Sequence, residues 1–249
     1  MLRNRIITWS IWLAILPLWE AMCQVFSVPS YILPPPSDIW HAFIAVDAGR
    51  WLEHGWATIR VAMLGFLLSF AISLPLAILM VQIPLLERTL FPILVVIQST
   101  PVVAIAPLLI VILGAGEASR LTITALITFF PLIVSATTGM RATPPEYIDL
   151  SRSLGAAEHK RIWQIRLPYA MPYLFSGIKV AVTLAIIGAV VAEFVAAEKG
   201  LGYFIQLSTS YFKIPQAFAA LFLLALLSLG MYQLVQLIQR LFFRWSLEP

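Results

Sequence analysis

The chain has 249 residues, 61% of them hydrophobic and only 11% charged, with a formal net charge of +4 at pH 7. A mean hydropathy of +0.92 lies outside the range of soluble domains and leaves room for about five to seven spans of ~20 residues with short connections. That excludes a separate soluble domain, and the single cysteine, Cys23, excludes an internal disulfide or a Cys-based metal site and reads as an apolar packing residue.

In chain order, Arg3 and Arg5 precede an apolar run over residues 6–26. The run is too long for the core of a typical signal peptide and no Ala-x-Ala-like site follows it, so it is expected to be an uncleaved first span starting in the cytoplasm. Residues 27–55 form the longest extracytoplasmic segment. Pro34, Pro35 and Pro36 extend its backbone, and Ser37 or Asp38 can cap a following helix. That helix mixes Ile39, Trp40, Phe43 and Ile44 with Asp38, His41 and Asp47, a composition suited to the membrane interface. Glu20, near the outer end of the first span, belongs to the same interface.

Further apolar segments cover 56–80, 91–113, 119–139, 172–197 and 217–239, giving an all-α integral membrane protein of six spans in a single domain, 1–249. Pro101 and Pro107 interrupt the third span. Each removes a backbone donor, which lipid tolerates only where the freed carbonyls are satisfied again, so this span is expected inside the bundle. With the N-terminus inside, Arg3, Arg5, Arg88, Arg141, Arg152, Lys160, Arg161, Arg166, Arg240 and Arg244 share the cytoplasmic side, against Arg50, Arg60, Arg120, Lys199 and Lys213 outside. This bias places both termini in the cytoplasm and explains the basic charge without nucleic acid.

The segment 140–171 is a charged, helix-forming island between apolar spans. Thr143, Pro144, Pro145 and Glu146 can open a helix with proline in its first turn. Leu150, Leu154 and Gly155 give an apolar ridge ending in a helix-stop glycine. Ala156, Ile162, Trp163 and Ile165 offer a second apolar face, while Arg152, Glu158, Lys160 and Arg161 remain for a polar cleft. Asp149, Leu150 and Ser151, then Gly155, Ile165, Leu167 and Pro168, resemble the cytoplasmic "EAA loop" of ABC importer permeases. That pattern is Glu-Ala-Ala, three residues, Gly, nine residues, Ile, one residue, Leu-Pro. The Glu-Ala-Ala is degenerate here; the remaining positions fall at the pattern's spacing. In that family the loop forms a short helix that docks in a cleft of the ATPase subunit, which implies that Asp149, Leu150, Leu154, Gly155, Ile165, Leu167 and Pro168 couple the chain to an ATPase.

The fifth span resolves into two stripes at helical spacing. One is small: Gly177, Ala181, Ala185, Gly188, Ala192 and Ala196. Small residues let helix backbones approach closely, so this stripe is expected to pack on another helix, within the subunit or across a dimer. The opposite stripe carries Ser176, Lys179, Thr183, Ile186, Val190 and Glu193. Ionisable groups inside a span are costly and should face protein or a water-filled cavity. The sharper reading makes Ser176, Lys179, Thr183 and Glu193 line a translocation pathway. The alternatives are that Lys179 snorkels to the cytoplasmic interface and that Glu193 bonds a neighbouring helix near the outer one.

The resemblance extends from Leu33 to Tyr203. Leu33 to Asp38, Gln98 to Pro101 with Ala106 and Pro107, Phe129 to Pro131, Gly139 to Arg141, Ala192 with Glu193, and Gly200 to Tyr203 resemble permeases of the nitrate/sulfonate/taurine importers. They also resemble their relatives that carry hydroxymethylpyrimidine and other thiamine or flavin precursors, and the tract from Phe175 to Phe194 is nearer the pyrimidine-precursor branch. The resemblance implies a type I importer bundle in the inner membrane, working as a homodimer with two ATPase subunits and an extracytoplasmic substrate-binding protein. ATP would then drive alternating access of a small solute such as a pyrimidine-type precursor, or alternatively taurine, an alkanesulfonate or nitrate. No phosphate-binding Gly-x-x-x-x-Gly-Lys-Ser/Thr occurs, so the chain is not expected to hydrolyse ATP itself. His41, His54 and His159 lack metal-ligand spacing, and no cofactor or metal is expected. An ion-coupled secondary transporter is the rival class, but neither a self-contained ion site nor repeated halves are visible.

Overall fold

The structure, a computed structural model, describes residues 2–247, with side chains for residues 14–247. The elements are all helical: α1 (Leu2–Val25), α2 (Pro36–Ala45), α3 (Ala48–Gln82), α4 (Pro84–Ser99), α5 (Val102–Leu113), α6 (Glu117–Arg141), α7 (Pro145–Ser153), α8 (Glu158–Arg161), α9 (Leu167–Ala196), α10 (Leu201–Ser210) and α11 (Ile214–Phe242). A π turn over Ile162–Arg166 joins α8 to α9, and a 3₁₀ turn, Arg244–Leu247, follows α11.

Among the described residues four helices are long and apolar enough to cross a membrane: α3, α6, the continuous run Glu158–Ala196, and α11. The expected third span, 91–113, is instead two helices, α4 and α5, bent by 96° where they meet, and counts as a fifth crossing only if the pair is taken as one. The first expected span lies within α1; its side chains before Ala14, Arg3 and Arg5 among them, fall outside the described residues. Six crossings are therefore expected from the sequence, and up to five are visible here.

Pro101 explains the break, since it cannot donate to the helix and pushes Thr100 into an extended conformation. The expectation that this segment lies inside the bundle is corrected. No residue of α4 is buried, and in α5 only Ala106 is. The Ile97 carbonyl, four residues before Pro101, accepts from the Thr100 N–H at 3.2 Å, and the Ser99 and Thr100 hydroxyls donate to the Val95 and Val96 carbonyls at 2.8 and 3.1 Å.

Two other boundaries move. α3 begins at Ala48 rather than at 56, and its 35 residues extend about 50 Å, longer than the ~30 Å bilayer core. The helix that carries the fifth span begins not at 172 but at Glu158 and passes through Pro168. The π turn accommodates this: the Leu167 N–H reaches back to the Ile162 carbonyl just before the residue that has no N–H to give.

The middle of the bundle is α6, packed between α3 and α9. A β-carbon at Gly188 would lie 2.9 Å from Thr124 Cα, one at Gly177 would collide with Ser135, and one at Gly139 would lie 2.7 Å from Tyr173 Cβ. As numbering rises along α9 it falls along α6, so the two helices are antiparallel. The small stripe thus packs within the subunit, and Ala181, Ala185 and Ala192 on it are fully buried. α3 runs parallel to α6: Arg60 pairs with Glu117 at 2.6 Å near one end, and Ala77 and Met80 share a core cluster with Ile133, Ala136 and Met140 near the other. Thr124 is a crossing point of all three helices, because a β-carbon at Gly65 would also meet its side chain, at 2.5 Å. Phe175 packs on Phe243 with ring centroids 5.1 Å apart, so α11 returns antiparallel to α9.

This packing sorts the loops into two ends. Residues 83–90, 141–171 and 243–247 share one; residues 27–47, 114–116 and 197–213 share the other. The α2 cap also differs from expectation. Neither Ser37 nor Asp38 caps its own helix; Glu20 of α1 does so, accepting from the Ser37 N–H at 3.0 Å and the Ser37 hydroxyl at 2.8 Å. Asp38 instead accepts from Ser30 Oγ.

Candidate functional site

At the 141–171 end, α7 opens with Pro145 in its first turn, as expected. It closes in a Schellman motif. The Gly155 N–H donates to the Arg152 carbonyl and the Ala156 N–H to the Ser151 carbonyl, both at 2.9 Å, with Gly155 at φ +71°. That left-handed step is what a helix-stop glycine provides. Ile148 and Ser151 face the bundle and are buried, whereas Tyr147, Leu150 and Leu154 form an exposed ridge at positions i, i+3 and i+7. Leu154 is 77% exposed and Trp163, on the following turn, 59%. Exposed apolar residues in line at an aqueous end mark an interaction surface.

The expected second apolar face is only partly present. Trp163 is exposed, but Ile162 is buried and Ile165 half-buried in the π turn, where they support α9. Leu167 and Pro168 are half-buried in its first turn, and Asp149 is exposed, 3.4 Å from Arg152. Arginines gather around the ridge: Arg141 pairs with Glu87 and Arg161 with Glu158, and half-buried Arg166 has no acidic partner among the described residues.

The polar stripe of α9 divides along its length. Ser176 is exposed, and Lys179 and Thr183 are half-buried; the Thr183 hydroxyl donates to the Val180 carbonyl at 2.8 Å. Beyond them the face closes. Ile186 is buried, and Glu193 is 1% exposed, so Glu193 does not share the open face with the other three.

Glu193 instead holds the start of α10, a helix the six-span reading did not include. Glu193 Oε2 accepts from the Gly202 N–H at 2.7 Å, Thr58 Oγ1 from the Leu201 N–H at 2.8 Å, and His54 Nδ1 from the Gly200 N–H at 3.1 Å. Side chains of α3 and α9 thus satisfy three successive backbone donors that helix geometry leaves without partners. A carboxylate is also favoured at that positive end of the helix dipole. Gly200, at φ +126°, and Gly202 lie against the Glu193 carboxylate, where a β-carbon would collide with it. A signal for α10 was present in the sequence: Leu201, Phe204, Ile205 and Ser208 are its buried face and repeat at helical spacing. His54 and Thr58 carry no such signal, since their partners are more than 140 residues away.

Lys199, outside the spans, pairs with Glu53 at 2.5 Å, and the hydrogen bond and charge of that carboxylate raise the ammonium pKa above the ordinary lysine value.

Comparison with known proteins agrees with this architecture. A family model described as "Binding-protein-dependent transport system inner membrane component" matches residues 69–246. The chain is 38% identical over 233 residues to the riboflavin transport system permease protein RibX of Chloroflexus aurantiacus, covering 93% of this chain and 87% of that one. It is 31% identical to the formylaminopyrimidine transport permease protein ThiX of Halalkalibacterium halodurans, with 94% and 93% covered. To the taurine transport system permease protein TauC of Escherichia coli it is 25% identical, with 94% and 87% covered. Among solved structures, an inward-facing MetNI methionine ABC transporter superposes with a TM-score of 0.65 at 22% identity, over 74% of this chain and 92% of that one. The chain belongs to the binding-protein-dependent inner membrane components: it is a multi-pass permease subunit of an ABC importer, a transport subunit and not an enzyme, of a family that works with an ATPase and a substrate-binding protein.

Proposed function

We propose that this permease works as a pair of identical chains bound to two separate ATPase subunits, with α7 as the coupling helix and both termini on the ATPase side. The observation that carries the reading is the ridge of Tyr147, Leu150 and Leu154, held clear of the bundle by buried Ile148 and terminated by the Gly155 motif. An apolar ridge exposed to water at the arginine-rich end has the shape to enter a cleft of a partner. The arginine distribution, with Arg88, Arg141, Arg152, Lys160, Arg161, Arg166, Arg240 and Arg244 at that end, supports a cytoplasmic location by the positive-inside rule. Asp149, Ile165, Leu167 and Pro168 belong to this coupling region, the last three by setting the angle at which α9 leaves it.

The test is Leu154→Asp in the importer assembled with its ATPase and binding protein. The variant is expected to insert normally but to lose ATPase copurification by about tenfold or more, since a carboxylate would be desolvated in the partner's cleft. Copurification at the wild-type level would refute the docking role.

The transported solute is inferred to be a small heteroaromatic compound of the pyrimidine-precursor or flavin kind. The relatives named for riboflavin and formylaminopyrimidine are 38% and 31% identical, against 28% and 25% for those named for aliphatic sulfonates and taurine. The route proposed for it follows the α9 face of Ser176, Lys179 and Thr183, with Glu193 at the far end of the stripe fixing α10 as the closing element. Thr183→Cys, in a Cys23→Ala background, is expected to react with a small water-soluble thiol reagent. Its rate should change when ATP is trapped on the partner. A thiol inert in every nucleotide state would remove this route and leave the coupling surface untouched.

A further inference from the structure

Beside α10, at the end away from the coupling helix, is a cavity of about 680 Å³ between α3, the start of α6, the end of α9 and α10. That volume suits a small organic molecule. Half of its lining is polar, with the carboxylates of Glu117 and Glu198 beside three cations, and two of those cations are already neutralised: Arg60 by Glu117 at 2.6 Å and Lys199 by Glu53 at 2.5 Å. Arg120 is different. Half-buried in α6, it lines the cavity, and its Nε donates to the Gly116 carbonyl at 3.3 Å. That bond fixes the guanidinium plane and leaves the two terminal amino groups without a partner among the described residues. No carboxylate forms an ion pair with it among the described residues; the buried Glu193 nearby accepts from the Gly202 N–H through Oε2 at 2.7 Å, and its Oε1 has no hydrogen-bond partner among them. Tyr203 and Gln206 line the same cavity, and neither the Tyr203 hydroxyl nor the Gln206 side-chain amide has a hydrogen bond among the described residues. The Tyr203 ring is stacked on His54, with centroids 6.2 Å apart, which holds an aromatic face at the wall.

We infer that this cavity is an outer binding subsite for a small solute presenting acceptor oxygens, carbonyl or oxyanion, to Arg120, with Tyr203 and Gln206 as further hydrogen-bonding groups. The inference deepens the proposed function, because it assigns to the permease a recognition step of its own between release from the binding protein and passage along α9. A planar guanidinium with two free amino groups binds paired acceptor atoms in a bidentate manner, and ring carbonyls, carboxylates and sulfonates all present such pairs. A purely apolar solute gains nothing from these groups.

The test uses the full chain in lipid nanodiscs, without ATPase or binding protein, titrated by equilibrium dialysis with riboflavin, formylaminopyrimidine and taurine as separate probes. At least one probe is expected to bind, and Arg120→Gln should weaken it by about tenfold or more. Gln206→Ala, at an exposed position, should weaken it by a smaller factor and serves if Arg120→Gln does not fold. Arg240→Gln, at the opposite end of the bundle, removes the same charge and should bind as wild type. Failure of all three probes to bind, or equal affinity in wild type and both cavity variants, overturns the subsite. A loss in Arg120→Gln confined to capture of the binding protein, with probe affinity unchanged, would show a socket for a protein carboxylate and overturn it too. None of these outcomes bears on ATPase docking, which the Leu154→Asp measurement reads separately.

Discussion

Gly155→Val is expected to abolish solute transport and binding-protein-stimulated ATP hydrolysis while leaving the protein inserted in the membrane. The reason is conformational, not steric. Gly155 sits at φ +71°, and a β-carbon there would meet nothing within 4 Å, so there is room for valine but not the backbone for it. A β-branched residue in the left-handed region is strained by ~1–2 kcal/mol or more. Refolding the turn would break the paired bonds from Gly155 to Arg152 and from Ala156 to Ser151. Either outcome displaces Leu154, the most exposed residue of the ridge. Gly155→Asn separates this account from one based on side-chain size. Asparagine tolerates the left-handed conformation, so that variant should retain most of the activity although its side chain is as bulky as that of valine. Equal loss in both variants would point to a steric role, and wild-type transport by Gly155→Val would remove α7 from the coupling step.

Gly188→Leu is expected to lower thermal stability sharply and to reduce folded protein. A β-carbon at this position would lie 2.9 Å from Thr124 Cα and 3.3 Å from Thr124 Cγ2. The obstacle is backbone, which cannot rotate away, and Thr124 is itself wedged against Gly65 from the other side. α9 cannot retreat from α6 without also disturbing α3. Overpacking in a well-packed site typically costs ~1–3 kcal/mol, and a three-helix crossing should reach the upper part of that range. Gly230→Leu on α11 is the control, because a β-carbon there meets nothing within 4 Å. Melting curves in detergent, followed by the loss of monodisperse protein on size exclusion, should show a large fall for Gly188→Leu and little for Gly230→Leu. Similar curves for the two would mean that the α6–α9 approach does not limit stability.

What the sequence determined by itself is what depends on local pattern. Apolar runs too long for anything but a membrane crossing located α3, α6, α9 and α11 to within a few residues at most ends, because lipid forces the backbone to satisfy its own hydrogen bonds. Four- and three-residue spacing of glycine and alanine marked the buried side of α9, and the glycine after Leu154 marked the end of the coupling helix. The tertiary structure alone decided partners. A helical wheel placed Glu193 in line with Ser176, Lys179 and Thr183, but cannot show that α10 folds back over the outer half of that line and uses Glu193 to hold its first turn. It could say that the small stripe of α9 faces a helix, yet not that the helix is α6. Pro101 foretold an interruption, whereas the 96° bend between α4 and α5 and the absence of buried residues in α4 were visible only in the fold, because they depend on how α4 packs against the rest of the bundle. His54 and Thr58 read as ordinary residues of a loop and a span because what gives them a role, the backbone of residues 200–201, is brought to them only when α10 packs on α3. Local pattern sets which groups need a partner; the packing of distant helices sets which partner each receives.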